Sequence, residues 1–93
     1  MILSFHDEAT EAVFNGRCPK GFPAQILRVA RRKLEMVNAA AKLTDLRAPP
    51  ANRLEALKGD RSGQHSIRIN DQFRVCFVWT SAGPERVEIV DYH

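Results

Sequence analysis

Hydrophobic residues recur at steps of three or four in the stretch that follows Pro23. The members of this series are Ile26, Ala30, Leu34, Val37 and Ala41. Such spacing places the residues on one side of an α-helix. Pro23 suits the first turn, where its missing N–H group is not needed. The pattern therefore predicts an amphipathic helix that begins at Pro23 and runs to about Leu43.

The amino-terminal segment predicts two shorter elements. Residues 2–5 form a short apolar run that fits an opening strand. Residues typical of a helix start come next, namely Asp7, Glu8 and Thr10. Residues 11–14 then suggest a brief helix that ends near Asn15-Gly16.

The second half of the chain has the pattern of strands and turns. Pro49-Pro50 breaks the helical pattern and starts an extended connector. Three strand candidates follow, at residues 65–70, 72–80 and 86–90. A hairpin turn at Asn70-Asp71 and a turn at residues 81–84 separate them.

The middle strand candidate has two distinct faces. Its hydrophobic face carries Phe73, Val75, Phe77 and Trp79, and its other face carries Arg74, Cys76 and Val78. If the hydrophobic face packs under the helices, Arg74 must project from the opposite, open face, and Trp79 belongs to the core. Two helices followed by an antiparallel meander predict one α+β domain over residues 1–93, with the helices on one face of the sheet.

Length and charge narrow the class of protein. The chain has 93 residues, enough for one modest core, with a net charge of +3 and a sequence pI of about 9.2. That basic bias fits a polyanion or an acidic partner. No apolar run approaches the roughly 20 residues that span a bilayer, and the start is acidic rather than basic, unlike a signal peptide. We therefore expect a cytoplasmic protein without a membrane partner, with Cys18 and Cys76 as free thiols.

A basic sheet face is a reasonable cradle for a single-stranded RNA backbone. Arg68 alternates with Ile67 and Ile69 along its strand, so its side chain points to the face opposite theirs, as that of Arg74 does on the next strand. Two more basic residues, Lys58 and Arg61, precede the strand of Arg68. Arg74 suits a phosphate because a guanidinium matches two phosphate oxygens and keeps its charge.

Scission of RNA needs proton-transfer groups beside the phosphate, because the substrate's own 2′-hydroxyl is the nucleophile. The available groups are Glu55, Asp91 and His93, and Tyr92 has a ring that can stack on a base. A frayed terminus is the alternative interpretation of the last three residues. No cofactor is indicated: residues 59–63 lack the P-loop pattern, and the histidines have no partners at metal-ligand spacing.

The predicted long helix also carries a run of basic residues, namely Arg28, Arg31, Arg32 and Lys33. A charge run on a helix is usually a solvated surface. The other interpretation is a contact with the phosphates of a nucleic acid.

Three segments resemble one known family. Arg53–Ile67, Asn70–Phe77 and Val87–His93 are similar, in that order, to segments of HigB-type toxins of the RelE/ParE superfamily, in the HigB/GraT branch. The opening residues fit as well, so the resemblance covers nearly the whole chain. It implies a RelE-like fold.

The resemblance also implies a function. HigB-type toxins are ribosome-dependent endoribonucleases of type II toxin–antitoxin systems, which cleave messenger RNA by attack of the 2′-hydroxyl on the adjacent phosphate. The expected partners are the ribosome, messenger RNA and a HigA-like helix-turn-helix antitoxin. The toxin is expected to contact operator DNA only through this antitoxin. Lys58 and Arg74 match the phosphate-facing residues of the family. The carboxy-terminal catalytic group corresponds to Asp91, Tyr92 and His93.

One position departs from the pattern of the family. Glu55 stands where some relatives have a histidine. A carboxylate accepts a proton but is a poor general acid near neutrality, so the acid and base are not assigned.

Two other functions stay open. A ParE-like toxin that inhibits DNA gyrase would not need an intact Asp91-Tyr92-His93 group. A degenerate toxin that retains only antitoxin binding is the third possibility.

Overall fold

The structure, a computed structural model, describes residues 1–92. Its first helix, α1, spans Glu8–Phe14. The side chain of Asp7 caps it by accepting a hydrogen bond of 2.7 Å from the N–H of Thr10. Asn15 caps the carboxyl end of the helix, before Gly16, whose φ of 86° lies in the left-handed region. This short helix confirms the sequence pattern.

The second helix, α2, spans Leu27–Ala39, after a short 3₁₀ turn at Ala24–Ile26. It ends four residues before the predicted Leu43. Ala40 is extended, with φ −65° and ψ 130°, and the Asp45 carboxylate accepts 3.0 Å hydrogen bonds from the N–H groups of Ala41 and Lys42. Those contacts start a separate 3₁₀ turn at Leu43–Arg47 instead of another helical turn.

A buried polar contact joins α2 to the connector that follows it. Lys33 is only 7% exposed, and its ammonium donates a 2.6 Å hydrogen bond to Oδ1 of the fully buried Asn52. The prediction that Lys33 belongs to an exposed basic run is therefore wrong. Position 33 lies three residues after Ala30 and four before Val37, which places it on the buried side of the helix. Burial lowers the pKa of Lys33, and the nearby Arg32 and Arg68 lower it further.

Four strands form one antiparallel sheet in the order β1-β2-β3-β4, so residues 1–92 confirm the predicted α+β class. Strand β1 is Glu55–Ala56, β2 is His65–Arg68, β3 is Phe73–Thr80 and β4 is Gly83–Asp91. The two-residue β1 has too little pattern to be recognised in the sequence. Strand β4 begins three residues earlier than predicted because Gly83 pairs with Thr80 and the strand continues from there.

The opening segment is not a strand, contrary to the sequence pattern. Phe5 forms a single parallel bridge with Val87. The N–H of Leu3 also donates to the carbonyl of Pro84 at 2.8 Å, and the N–H of Val87 donates to that of Ser4 at 3.1 Å. The segment thus lies extended along β4 without a continuous ladder.

The core lies between the helices and one face of the sheet. Its fully buried residues include Leu34 and Val37 from α2, and Val75 and Phe77 from β3. Trp79 packs against this core, with its ring 6.5 Å from that of Phe77. The predicted inward face of the middle strand is confirmed, and the other sheet face is left for the site.

Candidate active site

Polar side chains cross the sheet on the face that turns away from the helices. The strand register aligns Glu55 with Ser66, Ser66 with Cys76, and Cys76 with Glu88. Arg74 lies two residues before Cys76 and therefore shares its face. We call this surface, defined by Glu55, Ser66, Arg74, Cys76 and Glu88, the polar sheet face.

Arg74 is held in place by three neighbours. Its Nε donates to Oγ of Ser66 at 2.7 Å, and one terminal nitrogen donates to the carbonyl of Arg53 at 2.7 Å. The same Nε lies 3.6 Å from the carboxylate of Glu55. The sequence predicted the correct face for Arg74, but the expectation of an exposed side chain is wrong, because only 12% of it is exposed. These neighbours cover the guanidinium and fix its orientation.

Glu55 is the open partner of this pair. Its side chain is 54% exposed, so the carboxylate contacts both Arg74 and solvent. A carboxylate at a charged arginine can accept a proton from a group bound there. The arrangement places a proton acceptor beside a phosphate-binding type of side chain.

A second ion pair lies beside the first. Arg61 donates through one terminal nitrogen to Glu88 at 3.0 Å and to Gln64 at 3.1 Å. The hydrogen bond with Glu88 raises the pKa of Arg61. The other carboxylate oxygen of Glu88 lies 3.7 Å from Nε2 of His6. Arg61, which we expected to contact RNA, is thus paired with a protein carboxylate in the free molecule.

Sequence reasoning missed Glu88 and His6. Glu88 alternates with the inward-facing Val87 and Ile89, the same signal that placed Arg74 on its face. His6 carries no such signal, because it reaches Glu88 only through the pairing of the opening segment with β4.

The thiol of Cys76 lies beneath these charges. Cys76 is fully buried, and its burial raises the pKa of the thiol to about 11, although the positive charge of Arg61 opposes the shift. A neutral, covered thiol is a poor nucleophile. Both cysteines are free, and Cys18 is exposed.

The remaining basic candidates lie at the margin of the polar sheet face. Arg68 is directly opposite Arg74 in the register, and it forms an ion pair with Asp71. Lys58 is exposed just before the 3₁₀ turn Gly59–Arg61. Within residues 1–92, its ammonium has no ion-pair or hydrogen-bond partner. Lys58 is therefore available to an anion from outside the protein.

The end of β4 separates two of the predicted tail residues. The register places Val90 opposite Arg74 and Asp91 opposite Phe73. Because side chains alternate along a strand, Tyr92 follows the parity of Val90 toward the polar sheet face, and Asp91 follows that of Phe73. Asp91 accepts a 3.1 Å hydrogen bond from the side chain of Gln72, and Tyr92 is 39% exposed. His93 lies outside the described residues.

Residues 1–92 contain neither a metal-binding cluster nor a membrane-spanning helix. No group of three or more histidine, cysteine, aspartate or glutamate side chains there could hold a metal ion. No helix in that part of the chain is long and apolar enough to cross a membrane.

The chain is similar to known proteins over most of its length. Residues 3–93 match a family described as the RelE-like toxin of the type II toxin–antitoxin system HigB. Toxin HigB-1 of Vibrio cholerae is 40% identical over 80 residues, covering 85% of this chain and 84% of that protein. Endoribonuclease HigB of Proteus vulgaris is 28% identical over 93 residues and the full length of both chains.

Proposed function

The chain belongs to the HigB-like family of RelE-like toxins of type II toxin–antitoxin systems, and from that premise we propose that it is an endoribonuclease that cuts messenger RNA on the ribosome. Likeness to a protein named endoribonuclease supports the reaction class. The observation that carries the proposal is the fixed guanidinium of Arg74, held by Ser66 and Arg53 beside the open carboxylate of Glu55.

The reaction follows from the chemistry of RNA. The 2′-oxygen attacks the adjacent phosphorus, its proton goes to a base, and the bond from phosphorus to the 5′-oxygen breaks. The leaving 5′-oxygen takes a proton from an acid, which leaves a 2′,3′-cyclic phosphate and a 5′-hydroxyl. Arg74 stabilises the charge that grows on the phosphate oxygens, since a prealigned guanidinium needs little reorganisation.

The other site residues take roles around that phosphate. Lys58 supplies a second positive charge from its exposed position. Tyr92 stacks on a base next to the scissile bond. Glu55 is the base in this scheme and His93 is the acid, whereas Asp91 follows the face of Phe73 and accepts a hydrogen bond from Gln72. Arg68 and Arg61 contact the RNA backbone on either side.

The arginines of α2 give the proposed ribosome contact. Arg28, Arg31 and Arg32 are exposed. Together with Gly16, Leu27 and Glu35 they line a cleft of about 430 Å³. Exposed arginines grouped in this way suit the phosphates of ribosomal RNA. Lys33 takes no part, because it is buried.

A type II toxin has an antitoxin partner. We propose that this partner is HigA-like, carries a helix-turn-helix and is the only route to operator DNA. The proposed site of action is the cytoplasm, where ribosomes translate.

Primer extension on a message in a purified translation system tests the function. We expect new 5′ ends only when both toxin and ribosomes are present, and none with Arg74→Ala. Intact messages together with inhibited DNA gyrase would instead establish a ParE-like function. Intact messages, active gyrase and tight antitoxin binding would identify a degenerate toxin.

A further inference from the structure

A polar groove of about 420 Å³ lies next to the candidate active site. Its lining residues are His6, Asp60, Arg61, Gln64, Arg86 and Glu88. Glu88 belongs to the polar sheet face as well, so the groove continues directly from the surface that carries Arg74. The proposed cleavage reaction uses neither His6 nor Arg86.

A β-bulge shapes one wall of this groove. Cys76 pairs with Glu88, but Val78 pairs with Glu85, so strand β4 has one residue more than β3 in this interval. Arg86 takes up the extra position with a φ of 54°, in the left-handed region that usually requires glycine at such bulges. Ser4 holds the bulge, because its Oγ accepts a 2.9 Å hydrogen bond from the N–H of Arg86.

A large charged residue at a glycine-type position strains the backbone, and such strain is concentrated at functional sites. The Arg86 side chain is exposed, and its guanidinium has no hydrogen-bond or ion-pair partner among residues 1–92. Contacts within residues 1–92 therefore do not explain why an arginine occupies position 86.

The lining chemistry indicates what the groove would hold. Arg86 offers unpaired donors for a phosphate, whereas the carboxylate of Glu88 has acceptor capacity beyond its contacts with Arg61 and His6. A bare phosphate would use the donors of Arg86 and leave the carboxylates of Glu88 and Asp60 without a matching donor from the ligand. A nucleotide fits better, because it presents a phosphate at one end and N–H donors on its base at the other.

We infer that this groove is a nucleotide-binding subsite, which takes one nucleotide of the messenger beside the scissile phosphate, with Arg86 on its phosphate and Glu88 on its base. This inference rests on the proposed function, since it deepens the same RNA site. Arg86 is a binding residue in it and takes no part in proton transfer.

The experiment uses three variants of Arg86 and one matched control. Arg86→Gln removes the charge, Arg86→Lys keeps it, and Arg86→Gly removes the side chain while relieving the positive φ. Arg17→Gln removes the same charge from an exposed position in the loop after α1, outside the groove. Ribosome-dependent cleavage is measured as kcat and KM, alongside thermal unfolding.

We expect Arg86→Gln and Arg86→Gly to raise KM about fivefold to thirtyfold with kcat within about threefold, because these variants remove a charge-assisted hydrogen bond from binding and not from chemistry. Arg86→Lys should recover part of the affinity, and Arg17→Gln should match the wild type. Arg86→Gly should unfold at a higher temperature than the wild type despite its weaker binding. If Arg86→Gly had the kcat and KM of the wild type, Arg86 would serve only to shape the β-bulge, and the inference would be overturned.

A binding experiment distinguishes messenger RNA from ribosomal RNA as the source of the nucleotide. It also distinguishes failure of the subsite inference from failure of the proposed ribonuclease function. The probe is a short single-stranded RNA with 2′-O-methyl groups, which cannot be cut. Arg86→Gln should weaken its binding by a similar factor and lower the salt slope by about 0.7, the value for one phosphate contact on a single strand. Co-sedimentation with message-free ribosomes should not change. The reverse pattern would assign Arg86 to ribosomal RNA and overturn the inference.

Failure of the proposed ribonuclease function can be told apart from failure of the subsite inference. If wild-type protein cuts no message, the ribonuclease proposal fails, and the oligonucleotide arm alone decides whether the groove binds RNA. If wild-type protein cuts normally and Arg86 variants are unchanged in both arms, only the subsite inference is wrong.

Discussion

The Nε atom of Arg74 lies 3.6 Å from a carboxylate oxygen of Glu55, so the arginine proposed to hold the phosphate is already paired with an anion in the free protein. A bound phosphate must therefore compete with Glu55 or share Arg74 with it. Arg61 and Glu88 repeat this arrangement beside the first pair. The polar sheet face is thus largely neutralised before RNA arrives.

Glu55→Gln tests both consequences of that pairing. Affinity for an uncleavable RNA should rise severalfold, because the competing charge is gone. Cleavage should fall by about 10²–10⁴-fold if Glu55 is the general base. Glu55→His, which introduces the residue of some relatives, should retain substantial cleavage. Single-turnover kinetics and fluorescence anisotropy measure the two effects, and undiminished cleavage by Glu55→Gln would transfer the base role to the tail.

Arg74→Ala should lower cleavage by at least about 100-fold, because the variant cannot stabilise the charge that grows on the phosphate. The structure adds a cost to folding, since Ser66 loses a part-buried hydrogen bond and the Arg53 carbonyl loses one at an exposed position. We expect a decrease of about 1–2 kcal/mol in the free energy of unfolding by urea. Arg17→Ala, at an exposed position in the loop after α1, is the control for charge. A folded Arg74→Ala variant with normal cleavage would remove Arg74 from the site.

Removal of Tyr92 and His93 should nearly abolish cleavage and leave the fold and antitoxin binding intact. The core is complete upstream, and within residues 1–92 the truncation removes the hydrogen bond from the N–H of Tyr92 to the carbonyl of Gln72. Without acid–base assistance and base stacking, the rate should decrease by at least about 100-fold. Thermal unfolding, antitoxin pull-down and ribosome-dependent cleavage are measured on one preparation. Collapse of the fold would show that the tail is structural.

The thiol of Cys76 should make stability depend on pH. Its pKa is raised from 9.0 to about 11 in the folded protein, so the folded state holds more protons than the unfolded state within that window. Stability should therefore fall as pH rises from about 9 to 11, by no more than about 2–3 kcal/mol. Cys76→Ala should flatten this slope, and Cys18→Ala, at an exposed site, should not. Equal slopes in all three proteins would refute the assignment.

Reversal of charge on α2 should weaken binding to ribosomes. The double variant Arg28→Glu and Arg32→Glu should flatten the dependence of log K on log salt by about one unit for each phosphate that the protein no longer neutralises. Cleavage by enzyme at saturating ribosome concentration should stay near normal. The matched control reverses Lys20 and Lys42, which are exposed outside the cleft lined by the α2 arginines. An unchanged slope would leave the α2 arginines as an ordinary solvated surface.

The sequence determined the helices, the three longer strands and their faces, because these depend on periodicity within one segment. Alternation alone assigned Val75 and Phe77 to the core and Arg74 to the opposite face, as the structure has them. The family followed from motifs that occur in order along the chain. The order of motifs also singled out Asp91, Tyr92 and His93, and their catalytic role stays a prediction.

Only the tertiary structure decided what surrounds each of those side chains. Parity says which face Arg74 occupies, but the carbonyl of Arg53 that covers it comes from a residue with a left-handed φ of 46°, which no periodic pattern encodes. Lys33 is buried because Asn52, nineteen residues away, offers its ammonium an acceptor. The extra residue at Arg86 in β4 likewise exists only relative to β3. Contacts between distant segments depend on how turns and bulges bring them together, and periodicity within a segment holds no information about that.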